Sequence, residues 1–152
     1  MSPSKIREKV VTERLFWVAN MISAIRSLPL GSFADFTADA RNTGAAESYL
    51  RRALEALLDT GRHVLAKGFG KAAVEYKEIA SGLKDCGIID NDAEKIIHNL
   101  AGYRNRMVHF YDEITDDELY GICCNQLTDI ELIAGAITRF IESHPEMVDK
   151  SL

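Results

Sequence analysis

From Thr115 to Ile141 the chain reads TDDELYGICCNQLTDIELIAGAITRFI. Leu119, Ile122, Cys123, Leu127, Ile130, Ala134, Ile137 and Ile141 recur at steps of mostly three and four, which gathers them on one face of an α-helix. Thr115, with Glu118 three residues on, has the pattern of a capping box at the helix start. Pro145 marks its end. One long helix with a single apolar stripe must bury that stripe against other helices, so the fold depends on whether the rest of the chain supplies them.

It does. Val11, Leu15, Val18, Met21, Ile22 and Ile25 mark a first helix that Pro29 and Gly31 stop. Leu50, Ala53, Leu54, Leu57, Leu58, Val64 and Leu65 form the stripe of a second, ending at Gly68 and Gly70. Ala73, Tyr76, Ile79, Ala80 and Leu83 mark a shorter third helix closed by Gly87. Ile96, Ile97, Leu100, Tyr103, Met107 and Val108 mark a fourth, with Asn91 and Glu94 as its capping box. Phe33-Ala34-Asp35-Phe36 reads as a loop pinned by its two aromatics. No segment alternates with a period of two, so no strand is expected. The expected fold is all-α, an antiparallel up-and-down bundle of about five helices, as one domain over residues 1–152.

Composition agrees. With 47 % hydrophobic and 27 % charged residues in 152, the chain is an ordinary globular sequence, which excludes disordered, collagen-like and disulfide-stapled classes. No apolar run approaches the roughly 18–20 residues of a membrane span. The opening MSPSKIREKVVTERLFW puts charge into every turn and does not read as a signal peptide. A soluble cytoplasmic protein with no membrane contact is expected. Cys86, Cys123 and Cys124, without a Cys-x-x-Cys spacing, read as reduced core thiols. The net charge of −5 argues against a broad non-specific nucleic-acid surface. That charge is unevenly spread: Arg41–Lys77 has seven basic against four acidic residues, while Asp112–Glu131 has seven acidic residues and no Lys or Arg. The first region could hold a polyanion and the second would repel one.

Phosphate loops, nucleophile elbows and His-Glu-x-x-His are absent. His63, His98, His109 and His144 lack metal-ligand spacing, and neither a metal nor a cofactor is expected. His63 and His98 read as ordinary helix histidines. The informative stretch is Tyr103-Arg-Asn-Arg-Met-Val-His-Phe-Tyr111. Arg104 and His109 are five apart, about 140° around a straight helix, so they share a face only if the helix ends near His109. Asn105 lies one turn before His109, where its amide can orient the imidazole. A guanidinium that grips phosphate and an imidazole that moves protons suit cleavage of RNA, whose 2′-hydroxyl supplies the nucleophile without a metal. Spacing alone is weak evidence. Arg139 and His144 repeat it, but without the Asn and directly before Pro145, and read as a helix end with no chemistry.

The pattern Arg104-Asn105-x3-His109-x-Tyr111, within LAGYRNRMVHFYDEI, resembles the signature of the HEPN superfamily, in particular its HepT-like toxin branch. ESYLRRALEALLDTGRHVLAKG and ITDDELYGICCNQLTDIELIAGAITRFI resemble the second and last helices of that family. The resemblance implies a homodimeric all-α bundle with two motifs facing one cleft. It also implies a metal-independent ribonuclease toxin acting on RNA, with tRNA the expected substrate, paired with an MNT-type nucleotidyltransferase antitoxin. Carried over, Arg104 and His109 are catalytic, Asn105 is supporting, and Tyr111 is the site of adenylylation. The alternative is a non-catalytic helical module that binds nucleotide or substrate for a nucleotidyltransferase; a third reading is an interaction-only bundle.

Overall fold

In the computed structural model, residues 4–109 and 114–151 are described. They form seven helices: α1 (Glu8–Arg26), α2 (Phe33–Thr37), α3 (Ala40–Phe69), α4 (Tyr76–Asp85), α5 (Asn91–Val108), α6 (Asp116–Asn125) and α7 (Leu127–Ser143). A 3-10 turn at Pro145–Met147 follows. The all-α expectation holds, with seven helices in place of about five. Two-residue strands, β1 (Ile6–Arg7) and β2 (Val148–Asp149), pair in parallel, Ile6 opposite Val148. This corrects the expectation of no strand: two residues are too few to register a period of two.

The 30-residue α3 is the spine and touches every other helix. It runs antiparallel to α1: Ser4 N–H donates to Lys67 O (2.7 Å), Arg7 N–H to His63 Nε2 (3.1 Å), and Arg14 Nη1 to Asp59 O (3.1 Å). Leu50, Leu54, Leu57, Leu58 and Leu65 on α3 are almost fully buried, each contributing about 1.5–3 kcal/mol of hydrophobic stabilisation. Close approach of α4 depends on Gly61, where a Cβ would lie 2.9 Å from Ile79 Cγ2. The helix ends where Gly70 turns left-handed at φ 65°, which lets Lys71 N–H donate to Leu65 O (3.0 Å).

Three local readings are revised. Residues 33–37 form a short helix, because Ser32 Oγ accepts from Asp35 N–H (3.0 Å); Phe36 is buried against Tyr120, while Phe33 packs on the same ring and stays partly exposed. Asp90, not Asn91, caps α5, accepting from Ala93 N–H at 2.8 Å, and Glu94 instead faces Lys84 at 3.8 Å. The long last helix breaks at Gln126, whose side chain donates to the Tyr103 hydroxyl (3.0 Å). The break leaves the three-and-four spacing intact, so the apolar stripe runs straight through it. Thr115 does cap α6, accepting from Glu118 N–H (3.2 Å), but the Glu118 carboxylate turns to Arg106 on α5. Of the three free thiols only Cys123 is a core residue, and burial pushes it up to about 12; Cys86 is half-buried and Cys124 exposed.

Candidate functional site

His98, Ala101, Gly102 and Asn105 lie on one face of α5, three and four apart, and line a cavity of about 490 Å³. Arg62 of α3 and Val74, Glu75, Tyr76 and Lys77 at the start of α4 form its other side. Arg62 sets that side in place. Its Nε donates to Ala73 O (2.9 Å), Nη2 to Val74 O (3.1 Å) and Nη1 to Asp59 Oδ1 (3.0 Å), so each of its three nitrogens is engaged. The loop it holds delivers Tyr76, whose ring centroid is 5.5 Å from Arg62 Cζ and 5.0 Å from Arg104 Cζ. Burial raises the Tyr76 hydroxyl pKa, and the Arg104 charge offsets part of that rise. The phenol therefore stays neutral beside two cations.

Arg104 is seated but not spent. Its Nη1 donates a long hydrogen bond to Asn105 Oδ1 (3.4 Å). Its Nε is buried and makes no hydrogen bond, lying 3.5 Å from a Glu55 carboxylate oxygen that Arg51 shares at 3.2 Å. Among the described residues, Nη2 makes no hydrogen bond. The cavity wall thus carries Arg62, Lys77 and Arg104 against one carboxylate, Glu75, which pairs with Lys77 at 3.2 Å.

The expected helix end is found: α5 stops at Val108, and His109 is its C-cap with extended backbone (φ −108°, ψ 93°) and an exposed side chain. Arg104 and Asn105 meet at the cavity, while His109 is not among the residues that line it. Tyr111 lies outside the described residues. The other Arg-x4-His pair is accounted for: His144 stacks on Phe140 (4.1 Å between centroids) and its Nδ1 bonds Phe140 O at 2.9 Å. His63 is structural too, accepting the Arg7 N–H, and burial, aided by Arg14, Lys67 and Arg7, lowers its pKa.

Arg62 and Lys77 come from the basic stretch Arg41–Lys77, whose surplus charge was their signal. Tyr76 carried none, because it sits on the apolar stripe of its helix, and His98 was read as an ordinary helix residue. Among the described residues, no group of three His, Cys, Asp or Glu side chains could hold a metal ion. No helix among them is long and apolar enough to cross a membrane.

The bundle is that of several solved structures. It matches a tri-AMPylated Shewanella oneidensis HEPN toxin in complex with MNT antitoxin at TM-score 0.78, with 19 % identity over 86 % of this chain and 97 % of that one. A mutant of the toxin–antitoxin MntA-HpeT matches at TM-score 0.76 and 17 % identity, over 87 % and 99 %. YutE from Bacillus subtilis, a cytosolic protein of unknown function, matches at 0.72 and 19 %, over 88 % and 90 %. At these identities the likeness shows the fold alone, a helical bundle. The family follows from the sequence: residues 18–137 match the model of the ribonuclease HepT-like family, and the chain belongs to it. No curated protein matches the chain.

Proposed function

We propose that this chain is the toxin of a HEPN–MNT toxin–antitoxin pair, a metal-independent endoribonuclease with tRNA as its substrate. The observation that carries the reading is Arg104: its guanidinium is fixed over Tyr76, its Nη2 makes no hydrogen bond among the described residues, and it lines a cationic cavity one turn before an exposed histidine at the helix end. A guanidinium so placed grips a phosphodiester and stabilises the charge of its transition state. The RNA 2′-hydroxyl attacks the adjacent phosphorus as His109 takes its proton. The bond to the 5′-oxygen breaks, that oxygen receives a proton, and a 2′,3′-cyclic phosphate remains. Asn105 supports Arg104 through its amide oxygen. The catalysis of both proton transfers calls for two imidazoles, so the working unit is a homodimer with two motifs at one cleft; exposed Val108, beside His109, supplies apolar surface there.

One solved complex of the fold pairs a tri-AMPylated HEPN toxin with an MNT antitoxin. By that likeness, the partner here is an MNT-type nucleotidyltransferase that adds adenylate to Tyr111, placing a phosphate that competes for Arg104. The test is cleavage of total tRNA in excess EDTA by wild type and His109→Ala, with the dimer read by light scattering. Cleavage by wild type alone supports the nuclease. Binding without cleavage by either protein supports a non-catalytic partner of the transferase instead.

A further inference from the structure

We infer that the cavity between α4 and α5 is a subsite for one unpaired RNA nucleotide next to the scissile phosphate, with Lys77 contacting its phosphate and His98 reading its base. The inference rests on the ribonuclease reading and adds the part of the substrate that fills the cavity. Its volume of about 490 Å³ lies within the range of small-ligand sites. Its lining fits a nucleotide better than a bare anion. A phosphate alone needs only cations, whereas this wall joins three basic side chains to an aromatic ring, the polar side chains of His98 and Asn105, and the small residues Ala101 and Gly102. Sequence-tuned RNA recognition uses splayed single-stranded bases, laid on aromatic or guanidinium planes and read along their edges.

The division of labour follows from what each residue is already doing. Arg62 commits three of its five N–H groups to the 73–74 carbonyls and Asp59, which fixes it as part of the wall. Lys77 has only an exposed ion pair with Glu75, a contact worth little and readily exchanged for phosphate. His98 is exposed and sits one turn from Ala101 and Gly102 and two from Asn105, so the two polar side chains flank the small residues where a base edge would lie. Arg104 lies at the boundary, touching both the cavity and the motif, which places the scissile phosphate next to the nucleotide rather than within the cavity.

The experiment uses the full-length protein carrying His109→Ala to prevent cleavage, and a fluorescein-labelled single-stranded RNA of roughly 12 nucleotides. Anisotropy is read from about 50 to about 200 mM salt. In that background Lys77→Gln should weaken binding several-fold and make the negative slope of log K against log salt shallower by about 0.7, the loss of one single-strand phosphate contact. Lys9→Gln, on the exposed face of α1, should leave the slope unchanged. His98→Ala should keep the slope but alter the ranking of oligo(A), oligo(U) and oligo(C) by threefold or more. With His109 intact, both variants should raise KM for total tRNA and leave kcat within about twofold. An unchanged slope and an unchanged base ranking, in a protein that still cuts tRNA, would overturn the subsite and leave the ribonuclease standing. A Lys77-dependent slope in a protein that never cuts RNA would support the subsite and overturn the ribonuclease. RNA neither bound nor cut would overturn both.

Discussion

Two helix ends in this molecule carry the same spacing, Arg104 to His109 at the end of α5 and Arg139 to His144 at the end of α7. At α7 the histidine folds back on its own helix, stacking on Phe140 and bonding its carbonyl, while Arg139 is exposed. At α5 the arginine is the residue drawn inward, its guanidinium over Tyr76 and its Nε buried, and the histidine is left exposed. The pairs are inverted copies in physical terms. One uses its imidazole to finish a helix; the other fixes its guanidinium and leaves an imidazole at the surface. Spacing does not distinguish them, because the difference is made by side chains from other helices.

The largest effect expected is on catalysis. Arg104→Ala and His109→Ala should each lower tRNA cleavage by at least about a hundredfold, the scale of a lost proton-transfer or charge-stabilising group, while Arg139→Ala and His144→Ala stay within about twofold. Arg104→Lys sharpens the point: it keeps the charge but loses the planar fork and its seat on Tyr76, and should recover little activity. Circular dichroism should show the helical fold intact in all of these. Next comes Tyr111→Phe, expected to keep its nuclease activity but to resist silencing by the partner transferase with ATP. Intact-mass spectrometry of the co-expressed pair should then show adenylate on wild type alone.

In stability the ranking of the two ends reverses. His144→Ala should cost about 0.5–1.5 kcal/mol, through a lost hydrogen bond and a lost ring contact, and His109→Ala less, because its side chain is exposed where that of His144 is half-buried. Urea denaturation compares them directly. The smallest effect concerns His63. Its folded-state pKa is lowered, so the neutral form that accepts Arg7 N–H is favoured. The stability this contributes is complete above the ordinary histidine value of about 6.5 and is lost as pH falls from there through the lowered folded value. Amide protection factors at the start of α1, taken relative to the intrinsic exchange rate at each pH, should therefore fall on mild acidification, and His63→Gln should flatten that dependence.

The stripes on α1, α3, α4 and α5 were legible in the sequence because each buries one continuous face, and burial at steps of three and four leaves a periodic record. Gln126 was not, because a break that preserves spacing leaves no mark in periodicity; only its bond to Tyr103, distant in sequence, reveals the reason for it. Phe33–Thr37 is too short for a period to develop, and its cap, Ser32, is a common loop residue. At the site, Arg104, Asn105 and His109 stood out as a motif, and the helix end at Val108 was anticipated from the chemistry the pair would need. The cavity was not anticipated. Arg62, Tyr76 and Lys77 lie far from the motif in sequence, and a surplus of basic residues records charge without showing where the chain folds it.

The pairing of Ile6 with Val148 has a kinetic consequence. It joins segments about 140 residues apart, so it closes a loop nearly as long as the chain, and the entropy of that closure is recovered only once the helices between have docked. Such a clasp is expected to form late in folding, and its two-residue ladder should open without the bundle unfolding. The helices would then have two levels of security, a core that opens only globally and a fastening at its edge that opens many times for each such event.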